Sequence, residues 1–181
     1  GETFETVRER EGAQGTVMVD TRVMVHIDKG VSLPSILERL RPGDIVTHCY
    51  QGKGDHILDG HDEVIPEVYE ARRRGIIFDL GHGAGSFHYG IALKAFERGF
   101  YSDVISTDLH VYSIFDPVYS LPETASKLLN MGLEFEEVVR QTTVNPARAI
   151  GQEGQLGTIK PGSEADVAVF DIPDGDFIFT D

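Results

Sequence analysis

Three short apolar runs in this chain end the same way, in a side chain able to bind a metal or move a proton. They are Val23-Met24-Val25-His26, Ile45-Val46-Thr47-His48 and Ile105-Ser106-Thr107-Asp108-Leu109-His110. A fourth run, Ile76 to Leu80, carries Asp79 at the equivalent place. Counted from His26 to His48, Asp79 and Asp108, the steps are 22, 31 and 29 residues. A strand, a helix and two turns need about that length, so the pattern predicts consecutive βα units with parallel strands. Parallel strands of such units present their carboxyl ends to one mouth, where ligands bind. Two imidazoles and a carboxylate brought to one mouth suit a divalent ion, zinc above all.

The segments between the runs read as helices. Ser32 and Pro34 mark a helix start, Ile36, Leu37 and Leu40 form its apolar face, and Arg41-Pro42-Gly43 stops it. Asp62 is the expected cap of a helix running to Arg74, and Ser86 of one running to Arg98. Ser120 and Pro122 open another, with Ala125, Leu128 and Leu129 as its apolar face. Glu136–Gln141 and Pro146–Ile150, the latter capped by Asn145, read as two short helices. Residues 1–14 read as a short surface helix or a frayed terminus, and Gly15–Val19 as a further strand.

Beyond Gly151 the texture changes. Leu156–Gly162 and Ala165–Phe170 read as strands joined by Gly/Pro turns with no helix between them. The expected organisation is therefore an α/β domain over residues 1–150, a partial (β/α) barrel of about four units, followed by a small C-terminal β segment over 151–181. Four units are half of a closed eight-stranded barrel.

Bulk composition narrows the partners. Thirty acidic against 16 basic side chains give a formal charge of −14, which argues against a nucleic-acid or anionic-membrane surface. A small-molecule substrate is the remaining expectation. The one cysteine, Cys49, excludes an internal disulfide framework, and no apolar run is long enough for a signal peptide or a membrane span. Cytoplasmic location is the resulting expectation.

His26 and His48 lie one βα unit apart, within reach of one ion if their strands are adjacent; the alternative for each is a buried histidine bonded to backbone. Asp108 could both bind the metal and take a proton from a bound water, whose pKa a metal lowers toward about 7. His56, His61 and His88 fall in loop or helix-surface contexts and are expected to be solvated. Gly81-His82-Gly83-Ala84-Gly85 lacks the spacing of a phosphate-cradling loop, so a turn that permits close backbone approach is the expected role.

The order Met24-Val25-His26-Ile27-Asp28, Asp44-Ile45-Val46-Thr47-His48-Cys49-Tyr50, Asp79-Leu80-Gly81-His82-Gly83, Ser106-Thr107-Asp108-Leu109-His110 and Asn145-Pro146-Ala147 resembles the C-terminal half of an amidohydrolase-superfamily barrel, closest to its deacetylase-like and dihydroorotase-like groups. The closing Gly157 to Asp171 stretch is similar to the small β-domain strands that follow the barrel in that family. The resemblance implies a metal-dependent hydrolase of amide or ester bonds in small molecules. His26 and His48 would be metal ligands, and Asp108 a ligand and the catalytic base. Cys49, Tyr50, His82 and His110, with the loops Cys49–Lys53 and His110–Phe115, would face substrate. A deaminase of the same superfamily, or a non-catalytic fragment without the binuclear centre, are the alternatives. No two histidines are separated by one residue, so the family's first-strand ligand pair is absent, and its bridging fourth-strand lysine has no counterpart. The expected remedy is a homo-oligomer in which two half barrels close one ring, or a separate first half.

Overall fold

The computed structural model describes residues 21–27 and 30–181. Residues 1–14 and Gly15–Val19, read above as a helix or frayed end and a strand, lie outside the described residues.

The described elements run β1 (Met24–His26), α1 (Leu33–Arg39), β2 (Ile45–Thr47), α2 (Pro66–Arg73), β3 (Ile77–Phe78), α3 (Tyr89–Glu97), α4 (Leu121–Asn130), α5 (Phe135–Thr142) and α6 (Val144–Ala149). The three strands form one parallel sheet in the order β1-β2-β3, with Val25 opposite Val46 and Val46 opposite Phe78. Next to β3, residues 103–107 continue the sheet. The Leu80 amide donates to the Val104 carbonyl (2.9 Å), His82 to Ser106 (3.1 Å) and Gly83 to Thr107 (2.9 Å). Only Asp79 and Val104 form a regular parallel bridge there, so the fourth run follows the sheet without becoming a full strand. The protein is thus α/β with a small parallel sheet, and its four strand positions stand in chain order.

Burial sorts the sheet. All three residues of β2 are buried, whereas His26 and Met24 of β1 are exposed and Val25 is only half-buried. Among the described residues β2 is flanked on both edges and β1 on one. The core behind the sheet joins Leu37 of α1, Val68 of α2, Ala92 of α3 and Leu128 of α4 to Val46, Phe78, Leu80, Phe100 and Ile105.

Two helix caps hold as read: the hydroxyls of Ser32 and Ser120 accept from the amides of Ser35 and Glu123. Three others differ. Asp62 does not cap α2, because residues 57–65 fold back through a Leu58–Val64 antiparallel bridge and the helix begins only after Ile65. Ser86 does not cap α3, because the His88 amide is drawn to the Tyr50 carbonyl (3.0 Å), which keeps the chain extended until Tyr89. Asn145 sits inside α6, and its side-chain amide donates to the Asp103 carbonyl (2.8 Å), a tertiary bond in place of a cap. On α4 the predicted Ala125-Leu128-Leu129 stripe packs on the core, Leu128 buried and the other two partly so, and the fully enclosed face also takes in Thr124 and Lys127.

The strands expected after Gly151 are not formed. A single Glu153–Leu156 bridge is present there, and Ile159, Val167, Val169 and Phe170 are exposed. A strand gains its stability from a paired neighbour and a packed face, and among the described residues no neighbouring strand pairs with these segments.

Candidate functional site

The sequence places His48 one residue past β2, with φ of +63°. Left-handed backbone costs a non-glycine residue about 1–2 kcal/mol, and here it turns the ring across the sheet end. His48 is 3 % exposed. Its Nδ1 lies 2.6 Å from the Gly81 carbonyl oxygen. A carbonyl only accepts, so Nδ1 carries the proton and Nε2 is left with its lone pair. Burial lowers the His48 pKa, with His26 adding to the effect and the Gly81 bond and Asp108 opposing it. The balance favours the neutral ring, the form in which a histidine binds a metal.

Two groups meet this ring. The His26 ring, exposed at the end of β1, stands edge-on at 4.3 Å between centroids, 82° between planes. Asp108 Oδ2 stands 3.8 Å from His48 Nε2. Asp108 is also in left-handed backbone, φ +46°, with its side chain about half exposed. Both contacts depend on glycine. A Cβ on Gly81 would fall 2.2 Å from Thr47 Oγ1 and 2.7 Å from His48 Nδ1, and a Cβ on Gly83 would fall 2.7 Å from Asp108 Oδ2. The turn from Gly81 to Gly85 thus serves close backbone approach, as its sequence suggested.

Below this pair lies Asp79, 2 % exposed. Its Oδ2 accepts from Thr47 Oγ1 (2.6 Å) and Ser106 Oγ (2.8 Å), while Oδ1 has no partner. Burial raises the Asp79 pKa against those two hydrogen bonds. Three neighbouring strand positions thus contribute one polar side chain each to a shared layer. Asp79 counted as a strand end in the sequence, but nothing there assigned it a role.

Other expected residues stand elsewhere. Cys49 and Tyr50 are fully buried. Burial drives the thiol well above its usual range, leaving it a poor nucleophile. The Tyr50 hydroxyl accepts from the Ser102 amide (2.6 Å), and its ring packs on Phe87 and Phe96 in the core. His82 is fully buried, with Nδ1 on the Gly83 carbonyl (3.1 Å) and Nε2 on Lys127 Nζ (3.0 Å). Burial, reinforced by the Lys127 charge, lowers its pKa to about 4. His110 is exposed beside Tyr112, whose amide donates to His110 Nδ1 (3.1 Å). His61 and His88 are exposed and His56 half-buried.

The donor chemistry of His26, His48 and Asp108 fits a divalent ion: two imidazoles and a carboxylate, the carboxylate 3.8 Å from the free nitrogen of His48. They meet as pairs: among the described residues no group of three His, Cys, Asp or Glu side chains forms a ready metal site. No helix among those residues is long and apolar enough to cross a membrane.

Comparison with known proteins bears on the same stretch. The model of the amidohydrolase family matches residues 78–179. A deacetylase of Brucella anthropi is 39% identical over 162 residues, 88% of this chain and 40% of its own. An imidazolonepropionase of Brevibacillus brevis is 35% identical over 124 residues, 66% of this chain and 28% of its own. Among solved structures, an adenine deaminase superposes with a TM-score of 0.75 at 36% identity, over 79% of this chain and 39% of that one. A dihydroorotase gives 0.64 at 39% identity, over 74% and 36%. The chain spans about 40% of the length of the deacetylase it matches.

Proposed function

Because this chain belongs to the amidohydrolase family, we propose that it carries the hydrolytic half of a metal-dependent enzyme that cleaves amide or ester bonds in small molecules. One observation carries the reading: His48 is pinned through Nδ1 to Gly81, so that Nε2 faces Asp108 Oδ2 at 3.8 Å with His26 alongside. His26 and His48 would hold a divalent ion, zinc by donor type, with Asp108 bound to it directly or through water. When bound, that ion supplies a water acidic enough to lose a proton near neutral pH.

Asp108 accepts the proton at Oδ2 and delivers it to the leaving nitrogen or oxygen. Its exposed edge keeps the carboxylate open to substrate, while Gly83 leaves room behind it. The Gly81 carbonyl holds the His48 ring in one tautomer throughout. His110, Tyr112 and Phe115 of the following loop, all exposed, would contact substrate.

Deacetylation is favoured by the relative at 39% identity over 88% of the chain. Deamination of an amine-bearing ring is the second reading, supported by the adenine deaminase superposition. It uses the same activated water on a ring carbon, so an assay of acetyl esters, acetyl amides and aminopurines on one preparation separates the two. Metal content measured by plasma mass spectrometry on untagged protein tests the premise: a stoichiometric divalent ion is expected, and metal-free protein with no turnover would leave a non-catalytic relative.

The proposal includes a second set of strands that completes a barrel, from a second copy or a separate chain, since among the described residues β1 is paired along one edge. Sedimentation of the purified chain decides between these. A two-copy species is expected for paired halves, and a compact monomer near 20.0 kDa removes that arrangement.

A further inference from the structure

Lys127 is fully buried on α4, where a leucine or methionine would ordinarily sit. Its ammonium has three hydrogens, and the structure supplies three acceptors from three separate segments. They are the Pro117 carbonyl (2.6 Å), the Thr180 carbonyl (2.7 Å) and His82 Nε2 (3.0 Å). None is a carboxylate, so the charge is solvated by neutral groups, with Glu123, Asp116 and Asp181 acting on it only through space. An arrangement of this kind is poor at stabilising a fold compared with an apolar side chain of the same size. It is good at fixing the mutual position of the groups it joins.

Two of those groups lead to Asp108. His82 lies within the Gly81–Gly85 turn: its amide bonds to the Ser106 carbonyl, the Gly83 amide bonds to the Thr107 carbonyl, and Gly83 stands against Asp108 Oδ2. The His82 ring cannot swing away, because it is stacked on Phe87 at 4.7 Å and its Nδ1 is held by Gly83. Pro117 lies on the other side, in the loop that leaves Asp108. Within that loop, Ser113 Oγ accepts from the His110 amide (3.0 Å), and the Val118 amide donates to the Ser113 carbonyl (3.1 Å). Asp108 therefore sits between two stretches of chain, and Lys127 grips both.

We propose that Lys127 is a positioning residue for the reaction, setting through His82 and Pro117 where Asp108 stands relative to His48. It touches neither substrate nor the reacting atoms. The inference rests on the hydrolase reading for its kinetic consequences, but the geometric consequence stands apart from it.

Lys127→Met keeps the volume and removes every donor. In the whole protein its kcat should fall about 100-fold, the effect of an active-site group misplaced by about 1 Å, while KM for an acetyl ester stays close to the parent value. Lys127→Ala should regain kcat with added n-propylamine, which replaces the atoms removed, and not with n-propanol. Crystal structures of the parent and of Lys127→Met should show the His48–Asp108 separation changed from 3.8 Å. An unaltered kcat in Lys127→Met overturns the proposal, as does a loss that follows only the amount of folded protein and ignores propylamine. If the parent turns over neither esters nor amides, the hydrolase reading fails alone. The crystallographic comparison then decides: an unmoved Asp108 overturns the role, and a displaced one upholds it.

Discussion

The ends of β2 and β3 carry two histidines, His48 and His82, that share nearly everything except their use. Both are buried, both give Nδ1 to a glycine carbonyl, and burial lowers the pKa of both. They part at Nε2. That of His48 faces Asp108, with the exposed His26 ring edge-on to the imidazole, whereas that of His82 is closed by the Lys127 ammonium. Burial and tautomer alone therefore leave the two rings alike. What a third segment brings to the remaining nitrogen separates them.

The largest effect that tests this contrast is on turnover. Asp108→Asn should lower kcat by about 10³-fold or more, the scale of a lost general base, while most of the bound metal remains. His48→Asn should remove metal and activity together. His82→Asn should leave metal content near the parent level, because its Nε2 faces only Lys127. Plasma mass spectrometry and initial rates on the three variants would break the comparison if His82→Asn lost the metal as His48→Asn does.

Next in size is a dependence of stability on pH. The folded-state pKa of His82 is lowered to about 4 from 6.5, so between those values the unfolded chain binds a proton that the folded chain refuses. Stability contributed by the neutral ring is full above about pH 6.5 and falls as pH drops toward 4, by about 3 kcal/mol in all at 1.36 kcal/mol per unit. Urea midpoints measured from pH 7 to pH 4 should show that decline, and His82→Phe should flatten it. A parent slope indistinguishable from the variant's would mean that the ring titrates normally.

The two glycines that accept from these histidines should respond differently. Gly81→Ala drives a methyl against Thr47 Oγ1 and His48 Nδ1, both buried, and should cost about 3 kcal/mol or more of unfolding free energy. Gly83→Ala meets the half-exposed Asp108 carboxylate, which can turn away. It should cost about 1–2 kcal/mol from its left-handed backbone and reduce kcat more than it lowers the melting midpoint. Equal losses of stability in the two variants would show that Asp108 is held as firmly as the core.

The smallest effect concerns a feature remote from both rings. Ser120→Ala removes the hydroxyl that caps α4 and should lower stability by about 1 kcal/mol in chemical denaturation. If it also lowered kcat as Lys127→Met does, the helix as a whole, not its ammonium, would position the site.

Much of the site was legible because its determinants are local. A run such as Ile45-Val46-Thr47 followed by His48 states both burial and the direction of the next side chain, and the intervals to His26, Asp79 and Asp108 state that the runs are neighbours. The Ser32 and Ser120 caps were readable because a cap is satisfied within one turn. The Asp62, Ser86 and Asn145 caps failed because bonds to residues far along the chain took precedence: the Leu58–Val64 bridge, the Tyr50 carbonyl and the Asp103 carbonyl. The strand-like texture after Gly151 failed for a related reason, since alternation of apolar residues creates a strand only where another strand accepts its hydrogen bonds.

By itself the sequence determined the order of the parallel strand positions, the placing of His26, His48 and Asp108 at their ends, and the family pattern they form. Only the tertiary structure decided which ring nitrogens stay open, that Cys49 and Tyr50 turn into the core, and that Lys127 joins Leu128 as a fully buried residue of α4. A lysine on a helix reads as solvated from local pattern alone. Its burial becomes tolerable only when the carbonyls of Pro117 and Thr180 and the ring of His82, distant in the chain, converge to accept its three protons.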